Sequence, residues 1–177
     1  KIMKYIVCDV ESDGPIIGTH SMVCIGAVLL DRNLDKTFYA QTAPIGDEYV
    51  AEALAISGFD REEHENFPPP HEAFEKFAEW IEKVADGDSV TLISDNNGYD
   101  ASWVNWYFLA FIGKNPFGWT SRRIGDWFCG FFNNPKFPWK KYRDSARFPH
   151  NHHPVSDACG NASAVLYLID SGFKLKI

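Results

Sequence analysis

The 177-residue chain contains no run approaching the roughly 18 to 20 apolar residues that a membrane-spanning helix needs, and no secretory-leader pattern opens it. No membrane partner is therefore expected. Its four cysteines, Cys8, Cys24, Cys129 and Cys159, are scattered without Cys-x-x-Cys spacing. This excludes a zinc-ribbon ligand set and argues against a disulfide framework, so a reducing cytoplasmic setting is expected. Met3 reads as the natural start, preceded by Lys1 and Ile2. Internal repeats, low-complexity tracts and linkers are missing too, so a single domain over residues 1–177 with a sizeable core is expected.

An excess of basic residues is also lacking. Lys and Arg number 17 against 24 Asp and Glu, a net charge of −7, which is not the usual footprint of a phosphate-binding protein. The distribution is more informative than the sum. Acids dominate from Asp47 to Asp88, whereas from Trp119 to His150 Arg122, Arg123, Lys136, Lys140, Lys141, Arg143 and Arg147 face only Asp126 and Asp144. The same stretch is dense in Trp, Phe and Tyr. Bases interleaved with aromatics suit a nucleic-acid single strand, but most such aromatics are expected to be core.

Hydrophobic patterning predicts strands over Lys4–Val10, Met22–Leu30 and Thr37–Gln41, the last two joined by a turn at Asp31–Asp35 as a hairpin. Short helical pieces are expected between Pro44 and Pro70. An amphipathic helix follows over His71–Ala85, with Phe74, Phe77, Ala78 and Ile81 on one face. A short buried strand is predicted at Ser89–Ile93, a helix at Ala101–Ile112 ended by Gly113, and a final helix at about Val155–Asp170. Residues 114–150 give no clear pattern. Antiparallel strands followed by alternating strands and helices predict an α/β fold with a mixed sheet.

Three segments carry chemistry. The first strand ends in Asp9-Val10-Glu11-Ser12-Asp13-Gly14. Residues two apart on a strand share a face, so Asp9 and Glu11 project together, and two such anions repel unless a proton or metal lies between them. Hard cations such as Mg²⁺ favour these oxygen ligands. The second segment, Ser94-Asp95-Asn96-Asn97-Gly98-Tyr99-Asp100, places an acid where a strand gives way to a helix; Asp100 alone reads as an N-cap. The third is His152-His153-Pro154-Val155-Ser156-Asp157-Ala158, with Asp157 in a helix's first turn, where its charge suits the dipole. A lone histidine before a helix ordinarily carries no role.

Together, in order and context, these segments resemble the three motifs of the DEDDh branch of 3′→5′ exonucleases, the group of ribonuclease T, oligoribonuclease and polymerase proofreading exonucleases. Asp9-Val10-Glu11-Ser12-Asp13-Gly14 is similar to the family's Asp-x-Glu-Thr/Ser-x-Gly, and Ile25-Gly26-Ala27-Val28 to its following strand. Asn96, Tyr99 and Asp100 match His-Asn-x-x-Phe-Asp; His152, Asp157 and Ala158 match His-x-Ala-x-x-Asp-Ala. Asp95 stands in place of the family's usual His, Cys24 where Glu is frequent, and Pro154 in place of Ala. The likeness leaves out residues near 43–70 and 114–148.

The resemblance implies a ribonuclease H-like mixed sheet flanked by helices and a site for two Mg²⁺ ions, with Mn²⁺ able to substitute. It assigns Asp9, Glu11 and Asp157 to one ion and Asp9, with Asp100 through water, to the other. His152 would be the general base, with His150 and His153 as alternatives. Ser12, Asn96 and Trp103 are expected to contact substrate. The expected substrate is the 3′ end of a single strand, with RNA favoured over DNA, and relatives are often homodimers. A non-catalytic binding domain of this fold would show eroded carboxylates or histidine; none is eroded.

Overall fold

A computed structural model describes residues 3–177, so Lys1 and Ile2, read as preceding a start at Met3, lie outside the described residues. Strands β1 (Met3–Ser12), β2 (Met22–Leu29) and β3 (Thr37–Gln41) form an antiparallel meander. Short helices α1 (Ala51–Ile56) and α2 (Arg61–Glu65) precede the amphipathic α3 (Pro70–Ala85). Strand β4 (Ser89–Ser94) then runs parallel to β1 and leads into α4 (Asn97–Tyr107). Strand β5 (Ser121–Arg123), α5 (Ile124–Phe131), a 3₁₀ turn at Trp139–Tyr142 and α6 (Pro154–Asp170) complete the chain. The sheet order is β3-β2-β1-β4-β5, the mixed arrangement the sequence predicts.

Alternation along β1 decides which layer covers each face. Ile6, Cys8 and Val10 join Phe74, Phe77, Trp103, Val104 and Tyr107 in a core beneath α3 and α4. Val7 faces the other way, into a core with Ile124, Phe128, Ala158, Ala162 and Val165 from α5 and α6. Asp9 and Glu11 continue that second face beyond its apolar part. The strand thus supplies its own core and then, on one side, its acids.

Two segments depart from expectation. Helix α4 begins at Asn97 rather than Ala101, because the Asn96 carbonyl already accepts from the Tyr99 and Asp100 amides at 2.7 and 2.9 Å. Asp100 is therefore not the N-cap; it lies a turn inside. A π-helical turn at Phe108–Ile112 carries the helix on to Gly113, whose φ of 78° ends it.

In the stretch that gave no pattern, the aromatics stack on one another. Phe132 and Phe137 lie 4.1 Å apart at 3°, Tyr142 and Tyr167 4.2 Å apart at 19°. Phe128 and Trp139 are buried in the α6-side core. Most of these rings are core, as expected; Trp119, 86% exposed, is the marked exception.

Residues 43–70 are tied to the end of β1 through Asp13, which is fully buried. Its carboxylate accepts from the Ser21 amide at 2.5 Å and from Arg61 Nη1 at 3.2 Å. This tether holds the start of α2 beside the acidic end of the sheet, and the Asp13 carbonyl, accepting from the Val50 amide at 2.7 Å, does the same for α1.

Candidate active site

The site forms where β1 outruns β4. Their pairing stops at Val7–Ile93, after which β4 ends and the chain turns into α4. The Val10 amide, with no strand partner on that side, donates instead to Asp100 Oδ1 at 3.2 Å. A backbone donor that must be satisfied thus fixes the second-motif acid against the first. Asp100 is buried, 3% exposed, with Ser94 as a further side-chain partner.

Asp157 arrives from the opposite layer. Gly26 lies opposite Asp9 in the β1–β2 ladder, and the first turn of α6 rests directly on it. A Cβ at Gly26 would lie 2.3 Å from the Pro154 carbonyl carbon and the Val155 nitrogen, both backbone atoms that cannot rotate away. The bare peptide lets α6 approach closely enough for Asp157 to reach the strand acids. One carboxylate oxygen each from Asp9, Glu11 and Asp157 lie within 4.8 Å of one another.

The histidines separate by position. His150 Nδ1 is 2.7 Å from Asp157 Oδ1, and His152 Nδ1 is 3.7 Å from Glu11 Oε1. His152 has a φ of 58°, an uncommon conformation for a non-glycine residue, at the turn that directs its ring to the acids. His153 precedes α6 and stacks on Tyr39 at 5.0 Å.

These acids sit in an electrostatically demanding place. Burial, and then the charges of Asp100, Glu11 and Asp157, push the Asp9 carboxyl well above the usual range, against a lowering by Arg143. Burial and Asp157 raise Glu11 to about 7. Burial also raises Asp100 to about 7, with Asp95 and Glu11 adding to it. Convergent hard oxygens that resist ionising alone are a donor set that a divalent cation fits, since it replaces the missing positive charge.

The acids line a cavity of about 460 Å³, shared with Asn96, Tyr99, Lys140, Arg143, His150, His152 and Asn161. Of the residues expected to contact substrate, Asn96 is exposed there. Ser12 is buried; its hydroxyl donates to the Gly14 carbonyl at 2.7 Å and hydrogen-bonds Tyr99 Oη. Trp103 requires a correction. It is fully buried between Tyr99 and Tyr107, each 6.0 Å away, and lies in the core away from the cavity. With α4 starting at Asn97, Trp103, three residues after Asp100, continues the same inward stripe.

The motif-based reading did not single out Arg143, Lys140 and Asn161. Arg143 Nη2 donates to Asp157 Oδ1 at 3.2 Å and to its carbonyl at 3.3 Å; Lys140 Nζ pairs with Asp95 Oδ2 at 2.5 Å. The basic stretch was a general signal for both cations, but nothing local ranked these two above their neighbours.

No family model matches the sequence. The chain is 33% identical over 128 residues to the 3′-5′ DNA exonuclease Cap18 of Escherichia coli, covering 71% of this chain and 68% of that protein. Its fold is similar to the nuclease domain of 3′hExo, a DEDDh family member bound to rAMP, with a TM-score of 0.80 at 16% identity, over 98% of this chain and 95% of that one. It is also similar to E. coli ExoI in a zinc-bound complex with single-stranded DNA, with a TM-score of 0.68 at 16% identity, over 97% of this chain and 41% of that one. These likenesses bear out the ribonuclease H-like fold expected from the sequence.

Proposed function

Because the chain belongs to the DEDDh family of 3′→5′ exonucleases, hydrolases that act on nucleic acid with divalent metals, we propose that it trims the 3′ end of single-stranded DNA to nucleoside 5′-monophosphates. The observation that carries the hydrolytic reading is the convergence of Asp9, Glu11 and Asp157 within 4.8 Å, with Asp100 locked beside them. The preference for DNA rests on the 33% identity to a DNA exonuclease. This reverses the sequence-based preference for RNA. RNA is the second reading, supported by the fold similarity, with a TM-score of 0.78, to a 3′-exonuclease whose structure concerns 3′-end-specific recognition of a histone mRNA stem-loop.

Asp9, Glu11 and Asp157 would hold one cation and Asp9 with Asp100 a second, Mg²⁺ being favoured by an all-oxygen set. When bound, two such ions activate water and relieve charge on the phosphoryl and leaving oxygens. His152 is the proposed general base, because imidazole exchanges protons near neutral pH and this ring is half-exposed at the cavity beside Glu11. Asn96, on the rim, is the proposed contact to the terminal nucleotide.

End-labelled DNA and RNA strands of one sequence, incubated with the protein and Mg²⁺ or Mn²⁺, test the choice. Faster shortening of the DNA is expected. Faster shortening of the RNA would overturn the preference while leaving the hydrolytic reading intact.

A further inference from the structure

Arg143 occupies an unusual place for an arginine whose only ion-pair partner is Asp157 among the described residues. Its side chain is 9% exposed, and it lines the same cavity as the four acids. Among the described residues only Nη2 is engaged, by the side chain and carbonyl of Asp157. Nε is buried with no partner among them, although guanidinium offers five donors in a rigid fork. Unsatisfied buried donors are rare enough to call for an explanation, and this one lies on the wall of the cavity.

Helix α6 is shaped around this group. Gly160 follows Asp157 by almost a turn, and a Cβ there would lie 2.6 Å from Arg143 Nη2 and 2.8 Å from Nε. Only a residue without a side chain leaves room for the guanidinium at the cavity wall. Lys140, three residues earlier, reaches the rim from the same turn, its side chain 60% exposed and held by Asp95.

A phosphodiester must enter a cavity lined by Asp9, Glu11, Asp100 and Asp157, and it is itself an anion. We propose that Arg143 is the phosphate-binding residue of this site, donating to a non-bridging oxygen of the 3′-terminal phosphodiester, with Lys140 drawing in the strand from the rim. The inference rests on the exonuclease reading above. Guanidinium matches phosphate geometry through paired donors, which an ammonium does not reproduce. In the absence of substrate the arginine leans on Asp157, so it competes with a cation for that carboxylate.

Two measurements distinguish this from a purely structural ion pair. Arg143→Gln should weaken binding of thymidine or adenosine 5′-monophosphate about ten- to a hundredfold, the loss of one charge-assisted hydrogen bond or more, and should lower kcat. Calorimetric titration of Mn²⁺ into the same variant without nucleotide should show affinity equal to or tighter than wild type. If Arg143 merely positions Asp157, Mn²⁺ affinity falls and monophosphate affinity holds, and the proposal is overturned. Should Arg143→Gln not fold, Arg143→Lys is read instead: it keeps the charge and should still lose monophosphate affinity. Lys140→Gln should raise KM and flatten its salt dependence. A wild type that trims 3′ ends while Arg143→Gln retains full monophosphate affinity overturns the role of Arg143 alone. A wild type that neither trims nor binds monophosphate overturns the function beneath it.

Discussion

Gly26 carries the backbone of Pro154 so closely that a Cβ would fall 2.3 Å from its carbonyl carbon, directly across the ladder from Asp9. This packing contact sets the distance between two acidic motifs separated by well over a hundred residues. Gly26→Ala should push the first turn of α6 off the sheet. Overpacking of this kind costs about 1–3 kcal/mol of stability, and a misplacement on the order of 1 Å can cost about a hundredfold in rate. Thermal melting and single-turnover hydrolysis check both; wild-type kinetics would show that the approach does not position Asp157.

Asp9→Asn should abolish hydrolysis and, in the metal-free protein, raise stability. The buried Asp9 carboxyl is surrounded by Asp100, Glu11 and Asp157, so removing its charge relieves repulsion. A gain of about 0.5–2 kcal/mol is expected, the size common for a single stabilising substitution. Denaturant melts in EDTA provide the check.

His152→Ala should cost about 10²- to 10⁴-fold in rate, the usual range for a general base, with stability within about 0.5 kcal/mol of wild type because the residue is exposed. His150, 2.7 Å from Asp157, is the competing candidate. Full activity in His152→Ala beside an inactive His150→Ala would transfer the role.

Stability without metal should fall as pH rises, and the stabilisation that a metal adds should grow. Glu11 and Asp100 sit at about 7 in the fold, above their ordinary values of 4.5 and 3.8. The folded protein therefore binds more protons than the unfolded chain between these limits, and its stability falls as pH rises from about 4 to about 7. A divalent cation needs the deprotonated form, so the rise in Tm on adding Mn²⁺ should be larger at pH 7.5 than at pH 5. Thermal scans at the two pH values test the sign.

Trp103→Ala should cost about 3–5 kcal/mol, as removal of a fully buried aromatic does, whereas Trp103→Phe should leave KM for the oligonucleotide unchanged. A raised KM in the Phe variant would restore Trp103 as a substrate contact.

Asp9, Glu11 and Asp157 were legible because period-two alternation and a helix's first turn are local rules. Asp100 was visible as an acid but not as the acceptor of the Val10 amide, since that bond exists only because β4 stops where β1 continues. Trp103 was misread because its orientation depends on where α4 starts, and the start is set by the Asn96 carbonyl rather than by a side-chain cap. Residues 114–150 gave no signal because β5 has three residues and α5 eight, and stacked rings rather than periodicity hold the segment. Arg143 was hidden in that segment, and its companion signal, Gly160, lies in a different element.

A metal-dependent site is proposed to shorten a single strand from its 3′ end. Its most direct test uses a 5′-labelled single-stranded oligonucleotide, compared with one whose 3′ end is blocked, in Mg²⁺ and in EDTA, for wild type and Asp157→Asn. The expected result is a ladder shortening one nucleotide at a time from the free 3′ end, release of 5′-monophosphates, and no reaction with the blocked strand, with EDTA or with the variant. Internal or 5′-end cleavage, or undiminished turnover in EDTA, would contradict it.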